Sequence, residues 1–570
     1  MKDNLKFRLK ILAIFAIPLI VTLLAIQLKK ATGPYWLGAN SDPSYIYLMN
    51  SLYITDGIAP IFVDHPGTTV QILGAVVIKI LNLGATQREL LDNVFRNPEL
   101  YMNAIHFVLM FLYMLSIIIV GLYSFKKTGN LLFSIFLQLS PFLLFPSDSR
   151  IFLISAEALL VTVVNFYVVC ILKLYFDFEE RNKIRPAVLF AIVCALGVAT
   201  KITFLPLLLA PIILLRGIKS KLIFCAVFLL SWFILTIPVI PRYEKMFHWW
   251  NGLIVYTGAH GSGIKGFVNI HSYISTIWSL MKINAFLTVM AMCYLLVVFQ
   301  YLKGSGGKSE SGPKLSRVIR FLSVFFLIVA AQFLMAAKQG SGHYMVSSVG
   351  LAGLLMGLLF EYANVGLRID RRFFVAFLFF FVISLSFVTI RYSNKLYEKN
   401  DETLRFSTMV REKYKDCIIC GYYRSSSPEI AMDFGDDCYG FKAYGQLLQK
   451  KYPNAYFYNR WNHLFHRFSD YVYLQDMLKL NQCVLLYGDS AVFPEYIQVQ
   501  EIESSPNEKL YKVLSTTADE AVQYYLIAKG FEAKKDYTSA YGFAIKAKSM
   551  GFPKIDDYLQ RLLKKQGGRR

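Results

Sequence analysis

Charged residues are scarce in this 570-residue chain, at 17%, where a soluble chain carries about 25%. Acidic residues are scarcer still: 38 Asp and Glu face 60 Lys and Arg, a formal net charge of +22. With 55% hydrophobic and 15% aromatic residues, a disordered chain is excluded and a cytosolic enzyme disfavoured. No small-residue cleavage site precedes Lys29-Lys30, so the first apolar run reads as an uncleaved signal-anchor. The tail carries no KDEL-type or lipidation signal. No internal repeat is visible, and no His/carboxylate spacing compels a metal ion, although Asp42, Asp56 and Asp64 would suit a divalent cation.

What the chain does have is apolar runs, near 10–28, 103–124, 129–146, 151–172, 186–200, 202–215, 221–240, 278–301, 318–336, 344–362 and 373–390. A crossing helix needs about 20 such residues, and 186–200 and 202–215 are short, sharing a polar Thr200-Lys201 junction. Charge arbitrates. With the N-terminus inside, six short segments hold 21 basic residues, among them Lys126-Lys127 and Arg371-Arg372, while the short outward loops are poorer. That asymmetry marks cytoplasmic loops and requires 186–215 to cross twice. A basic excess that sits in loops calls for no nucleic acid.

The expected fold is thus a polytopic α-helical membrane protein of about eleven spans, N-terminus in and C-terminal domain out. Its membrane domain is 1–390, with a first outward loop at 29–102 whose stretch 68–84 reads as an interfacial helix. An extracytoplasmic α/β domain follows at 391–517, in which CIICGYY (417–423) and CVLLYGD (483–489) look like buried strands, and 439–451 and 469–480 like helices. Residues 518–570 resemble a tetratricopeptide helix pair, in the spacing of Tyr525, Ala528, Gly530, Phe531, Ala540, Ala544, Ala547 and Pro553. One such repeat cannot bury its own face, which predicts packing on the domain before it. Four of the eight cysteines, Cys417, Cys420, Cys438 and Cys483, fall in the outward domain, where disulfides form. Three connectivities are open, a pairing of Cys438 with Cys417 or Cys420 being a plausible one. Cys417 and Cys420 would point to opposite faces of a strand, which suits neither a redox nor a zinc role.

Ionisable groups near a bilayer are costly and need a reason. The first loop offers Asp42, Tyr45, Asp56-Gly57 and Asp64-His65-Pro66-Gly67; Asx-turns are the plain explanation of the aspartates. Facing the same side are Arg150, Glu157, Lys201, Lys338, His343 and Tyr344, and a 241–272 loop with Trp249, Trp250 and His260. Snorkelling and the aromatic belt explain each singly, but not their convergence from five loops. Carboxylates and cations at a lipid–water boundary suit an anionic, lipid-linked substrate.

These residues carry a resemblance. Asp42-x-x-Tyr45, the later Asp-Gly and the His65-Pro66-Gly67 turn look like the first outward loop of GT-C superfamily glycosyltransferases, closest to the group of protein O-mannosyltransferases and the lipid A aminoarabinose transferase. Gly197 to Pro206, with Thr200-Lys201 and Leu205-Pro206, is similar to that group's Thr-Lys motif, and Lys338 with His343-Tyr344 to its later His-Tyr start of a span. Pro43 stands where a Glu commonly follows the loop Asp, and His65 where a Lys is common. The resemblance implies inverting transfer of a sugar from a polyprenyl-phosphate donor to a lipid, glycan or protein acceptor at the outer face of a bacterial inner membrane. Asp42 would be the base. Lys201 and Arg150, then Lys338 and His65, would hold the departing phosphate. Tyr45, Asp56, Asp64, Glu157, His260, His343 and Tyr344 would contact substrate. A lipid-linked-sugar flippase and an O-antigen ligase or polymerase are the alternatives.

Overall fold

The computed structural model describes residues 2–64, 66–146, 149–177, 184–303, 312–367, 369–421, 427–437, 441–459, 464–480, 482–488, 493–494, 496–517, 520–533, 536–552 and 555–567. His65, Cys438, Pro553 and most of the linker 303–314 lie outside them. The chain divides into two compact units. The first holds Met1–Lys30, Asn50–Gly84 and Tyr101–Asn394; the second holds Ala31–Met49, Ala85–Leu100 and Lys395–Arg570.

In the first unit the apolar runs become helices. Among the described residues seven are long and apolar enough to cross a membrane: Arg8–Thr32, Pro98–Thr128, Ala156–Phe176, Ile218–Leu235, Ala285–Lys303, Gly312–Ala337 and Arg371–Lys413. An eighth is gained if Gly342–Gly350 and Ala352–Gly366, bent by 44°, form one span. The protein is therefore a multi-pass membrane protein. Its helices expose Leu19, Leu23, Phe107, Leu229, Leu295 and Phe380, as lipid-facing surfaces do.

Among the described residues, fewer than eleven helices reach full spanning length. The segments expected at 129–146, 186–200 and 202–215 fold as the shorter apolar helices Leu131–Leu144, Ile184–Thr200 and Ile202–Leu214. Polar and proline residues break them. Gln138 turns its amide to the Ile117 carbonyl at 3.1 Å, and Ser140 donates to the Gly350 carbonyl at 2.7 Å. At that crossing Gly353 approaches Leu137 so closely that a Cβ would stand 2.5 Å from its carbonyl oxygen, so only glycine fits. Lys201 is extended (φ −157°, ψ 130°), and the 3-10 turn Ile202–Leu208 contains Pro206. The segment expected to lie in the interface forms the apolar helix Thr68–Leu81; it buries Val70, Gly74, Ala75 and Ile78 and exposes Val76, Ile80 and Leu81.

The second unit is built on seven strands: β1 Ile418–Gly421, β2 Tyr456–Asn459, β3 Leu464–His466, β4 Tyr471–Val472, β5 Val484–Gly488, β6 Ile497–Ser504 and β7 Lys509–Thr516. Their order is β4-β3-β2-β1-β5-β7-β6. β1 lies parallel to β2 and β5, and the other pairs are antiparallel. The two segments read as buried strands are thus the neighbours at the sheet's centre. The segment 469–480 differs from expectation in beginning as strand β4 before the helix Leu474–Lys479. β1 is covered on both faces: Ile418 and Cys420 pack with Leu474 and Met477, whereas Cys417 and Ile419 pack against Phe406 and Val410 of the long helix.

The disulfide joins Cys417 to Cys483, with Cys420 reduced and buried. This corrects the pairing of Cys438 with Cys417 or Cys420. The physical reason is strand order: Ile418 pairs with Val484, so the residues just before each are neighbours, which spacing alone does not reveal. The unit also draws residues 31–49 and 85–100 from the first loop, and its boundary falls at Lys395 rather than 391. In it Glu99 accepts from the Tyr35 and Trp36 amides at 3.0 and 3.3 Å.

After the sheet come helices Glu520–Ala533, Tyr537–Ser549 and Asp556–Gly567. Ala528, Ala540, Ala544 and Ala547 are fully buried between them with Leu562. The first of these helices also meets the sheet domain through Tyr473–Tyr524 and Tyr471–Phe531 ring contacts, at 5.4 and 5.7 Å. A lone helix pair therefore finds two covers, the sheet and a third helix.

Candidate functional site

Helix Ala156–Phe176 begins with Ser155, whose hydroxyl accepts from the Ala158 amide and donates to the Arg150 carbonyl at 2.8 Å. Glu157 therefore sits in the first turn, where the helix dipole favours a carboxylate. It is buried, and three basic side chains of the first unit converge on one of its oxygens. The Lys201 ammonium donates to it directly. Arg150 Nη1 lies 3.8 Å from the same oxygen and His343 Nε2 4.0 Å.

Each partner arrives by a helix break. Lys201 follows the end of Ile184–Thr200, its backbone bridging antiparallel to Pro66 of the first loop. Thr200 and Thr69 hydroxyls meet at 2.8 Å beside it. His343 and Tyr344 form the turn Gly342–Met345, held by Gln332 donating to the Tyr344 carbonyl at 2.6 Å. Ser341 Oγ is 2.6 Å from His343 Nδ1, and the Lys201 ammonium stands 5.1 Å from the Tyr344 ring centroid. The Lys201 side chain is 2% exposed and that of Arg150 42%. Lys201 is thus buried on Glu157, while Arg150 reaches the same carboxylate oxygen from a half-exposed position.

Asp64 lies two residues before the Lys201 bridge. Its backbone oxygen accepts from Trp250 Nε1 at 3.3 Å, and Lys245 donates to the Ile61 carbonyl at 3.1 Å. Burial pushes the Asp64 carboxyl up to about 6, with Lys245 opposing. Asp64, Arg150 and Glu157 all act electrostatically on Tyr344.

The structure therefore brings together Glu157, Lys201, Arg150, His343 and Tyr344, with Asp64 close by. Other expected residues stand elsewhere. Lys338 donates to the Ile254 carbonyl at 3.2 Å and covers the Phe267 ring at 4.6 Å, and burial lowers its pKa. His260 is exposed, with left-handed φ of 55°, and its amide donates to Gln339 at 2.9 Å. Asp56 is exposed, its amide closing the helix Ser41–Thr55 onto the Leu52 and Tyr53 carbonyls. Asp42 and Tyr45 belong to the second unit. Asp42 is exposed and extended; Tyr45 is fully buried, its hydroxyl donating to Glu99 at 3.2 Å. His65 is outside the described residues. Among those described, no group of three or more His, Cys, Asp or Glu side chains gathers as a metal site would. Ser341, Gln332 and Lys245 entered no sequence reading, because only the folded chain shows what they orient.

No family model matches the chain, and no curated protein matches it. Among solved structures it is similar to ArnT from Cupriavidus metallidurans bound to undecaprenyl phosphate, at 11% identity and a TM-score of 0.43, over 88% of this chain and 97% of that one. It is similar also to the apo state of that protein, at 10% identity and a TM-score of 0.45, over 87% and 97%.

Proposed function

We propose that this protein is a glycosyltransferase that moves a sugar, with inversion, from a polyprenyl-phosphate donor to an acceptor at the outer face of the membrane. The observation that carries the reading is the Glu157 cluster, in which one buried carboxylate holds Lys201 and draws Arg150 and His343 to the same oxygen. A phosphate leaving group needs cations, not a proton donor, and a partly buried Lys–Arg pair supplies them where water is scarce. Glu157 fixes the lysine and leaves the Lys–Arg–Glu group with one net positive charge, opposite in sign to a phosphodiester, and the half-exposed Arg150 guanidinium has the planar fork that suits its oxygens. Asp42 serves as the base that takes the acceptor's proton.

Mass spectrometry of lipid co-purifying with the protein tests this. A polyprenyl-phosphate sugar is the expected species, diminished in Arg150→Ala. Recovery of phospholipid alone, with no sugar released on incubation with such a donor, would sink the proposal. The bend of 44° between Gly342–Gly350 and Ala352–Gly366 favours a second reading, a lipid-linked-sugar flippase, because broken helices mark transporters. Movement of donor across a vesicle membrane without transfer would identify it.

The same reading places the N-terminus inside and the second unit outside. Glu402 is exposed on the helix Arg371–Lys413. A cysteine placed there by Glu402→Cys, in a chain with Cys225 and Cys293 replaced, is expected to react with an impermeant maleimide on intact cells. Labelling only after permeabilisation would reverse the orientation.

A further inference from the structure

The second unit has a groove of about 600 Å³ between the helices Gln87–Arg96 and Gly445–Lys451. Its buried apolar lining is Leu91 and Phe95, with Leu447 exposed beside them; its cationic lining is Arg88, Arg96, Lys450 and Lys451. Two carboxylates interrupt the cationic lining, and both are occupied. Glu89 accepts from the Thr86 amide and hydroxyl, each at 2.8 Å, in a capping box. Asp92 lies 2.8 Å from Arg96 and 2.6 Å from Lys451. Arg88 and Lys450 are exposed, and among the described residues neither has an ion-pair partner.

A second cavity of about 370 Å³ shares Lys451 and is lined also by Tyr452, Tyr456 and Arg411, with one carboxylate, Glu429. Both volumes fall in the range of ligand clefts, about 300–1,000 Å³. A bare patch of lysines attracts any anion. An apolar lining bordered by spaced cations, with two tyrosines in the cavity that shares Lys451, suits a chain whose repeat offers ring faces and regularly placed negative charges.

We infer that this groove binds an acidic oligosaccharide. Resting on the transferase reading, one step follows: the acceptor is an anion-bearing glycan that the second unit binds.

The test is equilibrium binding of the full-length protein in nanodiscs of neutral lipid to oligogalacturonate, with a dextran oligosaccharide of equal length and phosphatidylglycerol vesicles in parallel. Oligogalacturonate is expected to bind, more weakly as salt rises because exposed charges are screened beyond about 10 Å. The double variant R88E/K450E should lose roughly tenfold or more in affinity, about 1.4 kcal/mol, and R88K/K450R should keep wild-type binding, which separates charge from misfolding. Unchanged binding in R88E/K450E, equal binding of dextran, or binding to the vesicles without the oligosaccharide would each overturn the inference. The assay involves no turnover, so failure of the transferase reading would leave this result standing.

Discussion

Asp42→Asn is expected to lower the transfer rate by about 10² to 10⁴ while donor binding stays near wild type, the signature of a lost proton acceptor. The substitution keeps shape and hydrogen bonding and removes only basicity. Three observations select Asp42 among the first-loop carboxylates. It occupies the loop position that the sequence resemblance gives to the base. Its side chain is exposed, so an acceptor hydroxyl has access to it. Its backbone is extended, at φ −101° and ψ 110°, which sets the side chain apart from the helix it precedes. Asp56 closes a helix end and Asp64 is buried, so their Asn variants should do less. Stopped-flow or quenched transfer assays on purified protein measure the rate, and calorimetric titration the donor. If Asp42→Asn turns over at near wild-type rate, Asp42 is a turn residue and the proposed base is wrong.

The second large effect concerns stability. Lys201 and Glu157 are almost wholly buried, with side-chain exposures of 2% and 5%. Removing one partner leaves a charge stranded in a medium of low dielectric, at a cost of about 3–5 kcal/mol. Lys201→Ala and Glu157→Ala should each lower the thermal midpoint steeply. The double variant Lys201→Met/Glu157→Gln should recover most of the loss, since no charge is then stranded. Arg150→Ala, at a side chain 42% exposed, should barely move the midpoint and should instead raise KM for donor. Lys219 is exposed on the helix Ile218–Leu235, and its Ala variant should change neither. Additive losses in the double variant would show that the two residues do not act as a pair.

Much of this was legible in the residues themselves. Apolar length gave the helices, and period and apolar content gave β1 and β5, because a strand covered on both faces reads as a continuous run. The Thr200-Lys201 junction stood out as a polar pair inside apolar sequence, and in the fold Lys201 pairs with Glu157. What Lys201 binds was not legible: Glu157 is 44 residues away in sequence, and no spacing rule joins two helix starts. The same limit hid the disulfide, whose cysteines are 66 residues apart and meet through strand order. Segment lengths misled at 129–146 and 202–215, since hydropathy averages over Gln138, Pro141 and Pro206 while the backbone breaks at them. The first loop read as one region because sequence proximity was taken for spatial proximity; its ends at 31–49 and 85–100 pack in the second unit.

The order in which the strands are synthesised differs from the order in which they lie. β1 is made first yet sits in the middle of the sheet, flanked by β2 and β5. Its partner β5 follows 66 residues later, since Ile418 pairs with Val484. During synthesis, which runs from the N-terminus at about 5–20 residues per second, the segment Ile418-Ile419-Cys420 waits for several seconds with one edge bare and the Cys417 thiol unpaired. Edges of that kind recruit other chains. Biogenesis of this protein thus has a vulnerable interval, in which a bare strand edge and an unpaired thiol stand side by side.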